Sequence, residues 1–142
     1  MNERSDMRTQ VPHVSARLAP LFLVTAGGTL YYCLEVTVRG WSHWSMAVCG
    51  GICLFGIYYM NRALEDFPLL LRAVLGALLI TAVELAAGGV VNLALGWQVW
   101  DYSAHPFHLW GQICLYASLR WVILCIPVCL GCSALRRYVF EV

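Results

Sequence analysis

ELAAGGVVNLALGWQVWDYSAHPFHLWGQ, residues Glu84 to Gln112, begins inside an apolar run with a carboxylate, passes Gly88-Gly89 and Asn92, and leaves the run at Gly96. A segment rich in Trp, Tyr and His follows, and Gly111-Gln112 opens the next apolar run. Two apolar runs joined through an aromatic, polar connection read as consecutive membrane spans, because Trp and Tyr concentrate where membrane meets water. Most groups in this chain that could do chemistry lie in this stretch or can be brought to it.

Composition supports that reading. Of 142 residues, 61% are hydrophobic and only 12% charged, with a mean hydropathy of +0.70. A soluble domain is about half apolar and a quarter charged. No repeat, low-complexity tract or long linker appears, so the chain reads as one domain. The expected class is an all-α membrane protein with four helices in a bundle. It divides into a polar N-terminal segment (1–17), a four-span domain (18–130) and a C-terminal tail (131–142). A signal peptide does not fit, because the first apolar run is long and no small-residue cleavage pattern follows it.

The first span, about Leu18 to Val38, is long enough for a hydrocarbon core of about 30 Å at about 1.5 Å per residue. Gly27-Gly28 offers a flat face for close helix contact. The second, about Met46 to Met60, is short and must borrow flanking residues or tilt. The third is the longest, Leu69 to about Leu95; on it Glu84, Gly88 and Asn92 follow at i, i+4, i+8 and share one stripe. The fourth runs from Gln112 to about Leu130, with Arg120 and Pro127 inside it.

All nine basic residues are Arg. With four spans, Arg4, Arg8, Arg17, Arg62, Arg72, Arg136 and Arg137 share one side and Arg39 alone takes the other. The positive-inside rule then puts both termini in the cytoplasm of a multi-pass inner-membrane protein. The partner of such a chain is the lipid bilayer, with a small molecule or lipid as ligand and a homodimer as assembly; nucleic acid is not expected.

In that orientation the connections Arg39–Ser45 and Gly96–Gly111 face outward. The candidate polar site comprises Glu35, Arg39, His43, Glu84, Asn92, Trp100, Asp101, Tyr102, Ser103, Gln112 and Arg120. Glu35 and Arg39 are spaced to pair at i, i+4. Glu84 and Arg120 lie deeper, where a charge costs at least about 2.5 kcal/mol on insertion scales. Pairing with each other is the simplest solution, either as a functional centre or only as a lock on helix register. Asp101 has two readings as well, a turn cap or a ligand contact. His105-Pro-Phe-His108 with His43 and Asp101 is weak as a zinc set, and no metal or cofactor is expected. The seven cysteines lie mostly in apolar runs and read as reduced packing thiols. Cys129-Leu-Gly-Cys132 has redox spacing but falls on the cytoplasmic side, where nothing forces oxidation. There is no nucleotide-hydrolysis motif.

Taken in order, Glu35-Val-Thr-Val-Arg-Gly-Trp-Ser-His-Trp-Ser-Met46, Gly50-Gly51, Glu84…Gly88…Asn92, Val99-Trp-Asp-Tyr-Ser103 and Gly111-Gln-Ile-Cys114 resemble the ABC-transporter type IV family, which also takes in eukaryotic transmembrane proteins. The resemblance spans roughly residues 20–140 and implies a permease-like membrane protein. His108 stands where that family carries Asn, so no role of that amide transfers.

Three functions fit these groups. A transporter would place Glu84 and Arg120 on a polar pathway with Glu35, His43 and Asp101 at its mouth. An enzyme acting on a lipid or lipid-linked headgroup would use Glu35, His43 or Asp101 as proton carrier and Arg39 or Arg120 to hold an anion. A scaffold or accessory subunit would use the same motifs for assembly alone.

Overall fold

The computed structural model describes residues 15–140. Arg4, Arg8 and most of the polar N-terminal segment lie outside the described residues. Four helices follow in order: α1 (Ala19–Arg39), α2 (Trp44–Ala63), α3 (Leu69–Gly88) and α4 (Leu115–Leu135). α3 and α4 continue as more loosely wound π turns over Gly89–Ala94 and Arg136–Phe140. Three segments are long and apolar enough to cross a membrane: Ala19–Arg39, Leu69–Ala94 and Leu115–Phe140, with mean hydropathies of 1.4, 2.1 and 1.8. α2 has 20 residues but is not among them. Its Gly50, Gly51, Gly56, Ser45, Asn61 and Arg62 dilute its apolar character.

Local chemistry sets the ends. Pro20 sits in the first turn of α1, where a missing N–H costs nothing. Gly40 closes that helix at φ 81°, donating its N–H to the Val36 carbonyl. His43 caps α2 by accepting the Ser45 N–H on its ring, so α2 begins before Met46, the expected start. It also continues past Met60, because Asn61 turns inward. Its amide donates to Ser133 Oγ at 3.0 Å and accepts from Arg72 at 2.8 Å. α4 starts three residues later than the apolar run, since Ile113–Cys114 first pairs antiparallel with His108–Leu109. These strands, β1 (His108–Leu109) and β2 (Ile113–Cys114), are the one departure from an all-helical fold among the described residues. The helix also runs on past Leu130 and Pro127, so residues 131–140, expected as a tail, are helical.

α1 packs along α2 and α3 along α4, and α2 joins the two pairs. In hydrocarbon no hydrophobic force pulls helices together, so close packing of small residues must do it. At the α1–α2 crossing, a Cβ on Gly28 would lie 2.7 Å from the Ala47 carbonyl oxygen, and one on Gly51 would lie 2.6 Å from that of Val24. Gly27 and Gly50 face each other's carbonyls in the same way. Both glycine pairs are thus used within the chain. α3 and α4 add a Thr81–Ser118 hydroxyl bond of 2.9 Å, of a kind worth about 0.6 kcal/mol in a membrane, small beside the packing. All seven cysteines are free thiols, and Cys125, Cys129 and Cys132 fill the core with Leu23, Ile57 and Trp121.

Candidate functional site

The connection between α3 and α4 folds back onto the bundle and is anchored by Asn92. The π turn places this amide one rank beyond α3, and it satisfies the incoming backbone from both sides. Its oxygen accepts the Val99 N–H at 2.7 Å. Its nitrogen donates to the Trp100 carbonyl at 3.1 Å and to Gln112 Oε1 at 2.7 Å. Trp100 in turn donates its ring N–H to the Gln112 carbonyl at 3.0 Å. Gln112, buried, donates to the Trp110 carbonyl. Gly88 makes room for it, since a Cβ there would come within 2.5 Å of Gln112 Oε1. The expected stripe Glu84–Gly88–Asn92 therefore exists, and each member meets the loop.

Glu84 is buried. One carboxylate oxygen accepts from Tyr102 Oη at 3.2 Å, the other from Trp121 Nε1 at 3.0 Å. The expected ion pair with Arg120 is not made. Arg120 is exposed, its guanidinium over the Tyr116 ring at 5.1 Å. The physical reason is sufficiency: two hydrogen bonds to a charged group contribute about 1.5–3 kcal/mol each, which matches the about 2.5–3.5 kcal/mol insertion cost of a carboxylate. Trp121 was not picked out from sequence, although an indole N–H in mid-span needs an acceptor, and Glu84 is the obvious one.

Glu84, Tyr31, Trp100 and Trp121 share the wall of a cavity of about 320 Å³ whose remaining lining is apolar side chains and glycines of all four helices. It reaches from Met46 to Ile57 along α2, about 16 Å at 1.5 Å per residue. Leu30 and Leu34 of α1 edge it and are exposed at 67% and 41%. The α1 edge of the cavity at Leu30 and Leu34 therefore faces outward from the bundle.

The match to known proteins bears on what such a site is for. A family model described as "Putative ABC-transporter type IV" matches residues 26–140. The chain belongs to that family. It is a multi-pass membrane protein, with three helices able to cross a bilayer. Curated proteins and solved structures gave no match.

In this ABC-transporter type IV chain the remaining candidates form a rim rather than a second centre. Glu35 Oε2 pairs with Arg39 at 3.0 Å and its other oxygen accepts from Tyr31 at 3.3 Å. Arg39 also donates to the Val99 carbonyl at 2.9 Å, tying α1 to the loop, and covers the Trp41 ring at 4.3 Å. His43 is occupied with capping α2 and packs against Trp44 and Trp97. Asp101 accepts the Ser103 N–H at 2.8 Å. The Ser103 hydroxyl and backbone N–H hold its carboxyl below the usual range, so this contribution to the turn fades as pH falls through the lowered value. His108 accepts the Gly111 N–H and closes the turn. Among the described residues no three His, Cys, Asp or Glu side chains gather as metal ligands. His43 and Asp101 have local jobs, and no hydrogen bond joins either to Glu84.

Proposed function

We propose that this chain is a four-span inner-membrane transport protein whose substrate occupies the cavity beside Glu84, with the loop of residues 96–114 covering that site at the outer face. One observation carries the reading: Glu84 lines the cavity while its carboxylate is bonded to Tyr102 of the loop that covers it. A substrate group arriving at Glu84 shares its carboxylate with Tyr102, so binding acts directly on the group that holds the cover. α2 supplies the fourth span; its 20 residues rise about 30 Å. Arg62, Arg72, Arg136 and Arg137 lie at the end opposite the loop, which the positive-inside rule assigns to the cytoplasm. The enzyme reading, which takes Glu35, His43 or Asp101 as proton carrier, has no comparable support.

In proteoliposomes loaded with a pH-sensitive dye and challenged with panels of organic cations, anions and neutral solutes, the native protein moves protons with at least one class. Glu84→Gln, with native-like unfolding, abolishes that movement, because an amide carries no transferable proton. Equal proton movement in both proteins ends the reading.

A further inference from the structure

We infer that the Glu84 cavity takes an amphiphilic organic cation, admitted sideways from the bilayer past Leu30 and Leu34 of α1. The inference rests on reading this cavity as the substrate site and adds the chemical class of what it holds.

Three features of the wall point to one kind of ligand. Its surface is mostly apolar and its volume about 320 Å³, within the range of small-molecule pockets, and a water-soluble ion would lose its hydration there with little in return. The lining residues with polar atoms are Glu84, the aromatic residues Tyr31, Trp100 and Trp121, and the thiols of Cys49 and Cys53. Carboxylates and aromatic faces both attract cations and repel anions. Finally, neither arginine at this end of the bundle lines the cavity. Arg39 is spent on Glu35, the Val99 carbonyl and Trp41, and Arg120 lies over Tyr116.

The partners of Glu84 sharpen the choice. Trp121 Nε1 can only donate, and Tyr102 Oη donates here, so Glu84 acts as acceptor toward both. A carboxylate has room for about four donors. The unused capacity suits a cation or another donor; a fatty acid or phosphate group would add repulsion. Tyr31 of α1 and Trp121 of α4, in ring contact at 6.0 Å with planes at 55°, add two aromatic surfaces to the same wall as that carboxylate. The exposed Leu30 and Leu34 at the mouth give a ligand already dissolved in lipid a path that crosses no polar barrier.

Tetraphenylphosphonium and tetraphenylborate test this directly, being matched in shape and opposite in charge. With the full chain in phosphatidylcholine nanodiscs, followed by tryptophan fluorescence and calorimetry, tetraphenylphosphonium should bind at least about tenfold more tightly than tetraphenylborate, the ratio that 1.4 kcal/mol of charge preference produces. Glu84→Gln should abolish the preference. Leu34→Trp, which leaves Glu84 intact and fills the mouth, should weaken the phosphonium. Equal affinity for both ions in the native protein, tighter binding of the borate, or no binding of either overturns the inference, whatever the variants do. Flux of another solute class without phosphonium preference would sink this inference and leave transport standing. Phosphonium binding without any coupled flux would do the reverse.

Discussion

Asn92→Ala should release the loop of residues 96–114 and lower stability by about 3–9 kcal/mol, a large share of the about 5–15 kcal/mol that holds most folded domains together. Three buried groups are orphaned. Without the amide, the Val99 N–H, the Trp100 carbonyl and Gln112 Oε1 lose partners now at 2.7, 3.1 and 2.7 Å. Val99, Trp100 and Gln112 are all buried, and a buried polar group left unpaired costs about 1–3 kcal/mol. Asn92→Asp keeps an acceptor for Val99 but supplies no donor to the other two oxygens, so it should not rescue. Thermal unfolding in detergent reads the loss. Proteolysis at Trp97, Tyr102 or Phe107 reads the freed loop. A native melting point together with an uncut loop would show that Asn92 is not the anchor.

Gly51→Leu should prevent α1 and α2 from pairing and leave little folded protein. At this position a side chain meets backbone, since a Cβ would sit 2.6 Å from the Val24 carbonyl oxygen and 3.0 Å from Val24 Cγ1. Overpacking a core costs about 1–3 kcal/mol when side chains can yield; a carbonyl in mid-helix cannot. Gly131→Ala is the control. Nothing lies within 4 Å of a Cβ there, so it should be neutral, or stabilising by up to about 1 kcal/mol through helix propensity. Folded yield by size-exclusion profile and melting point separate the two. If Gly51→Leu folds as well as Gly131→Ala, the two helices do not meet through their glycines.

How much of this could be read beforehand differs from group to group. The long apolar runs marked α1, α3 and most of α4, because hydrocarbon demands uninterrupted nonpolar length. The glycine pairs marked a close contact, and Glu35–Arg39 was legible from spacing alone. The fate of the loop was not. Trp97, Trp100 and Trp110 look alike in sequence, yet Trp100 is 9% exposed and Trp110 68%; which of them turns inward depends on Asn92 and Gln112, twenty residues apart. Depth along a span was also a poor guide to partnership. Arg120 and Glu84 fall at similar levels, but level says nothing about which side of a helix a residue faces, and Tyr102 and Trp121 reached the carboxylate instead. His43 and Asp101 looked reactive because capping and catalysis draw on the same side chains.

Where two backbones touch with no side chain between them, there is no soft layer to shear. The first two helices are therefore welded into one slab, while the last two form another. Any turn of one slab against the other would stretch the Arg39–Val99 tether, the strap between α1 and the loop.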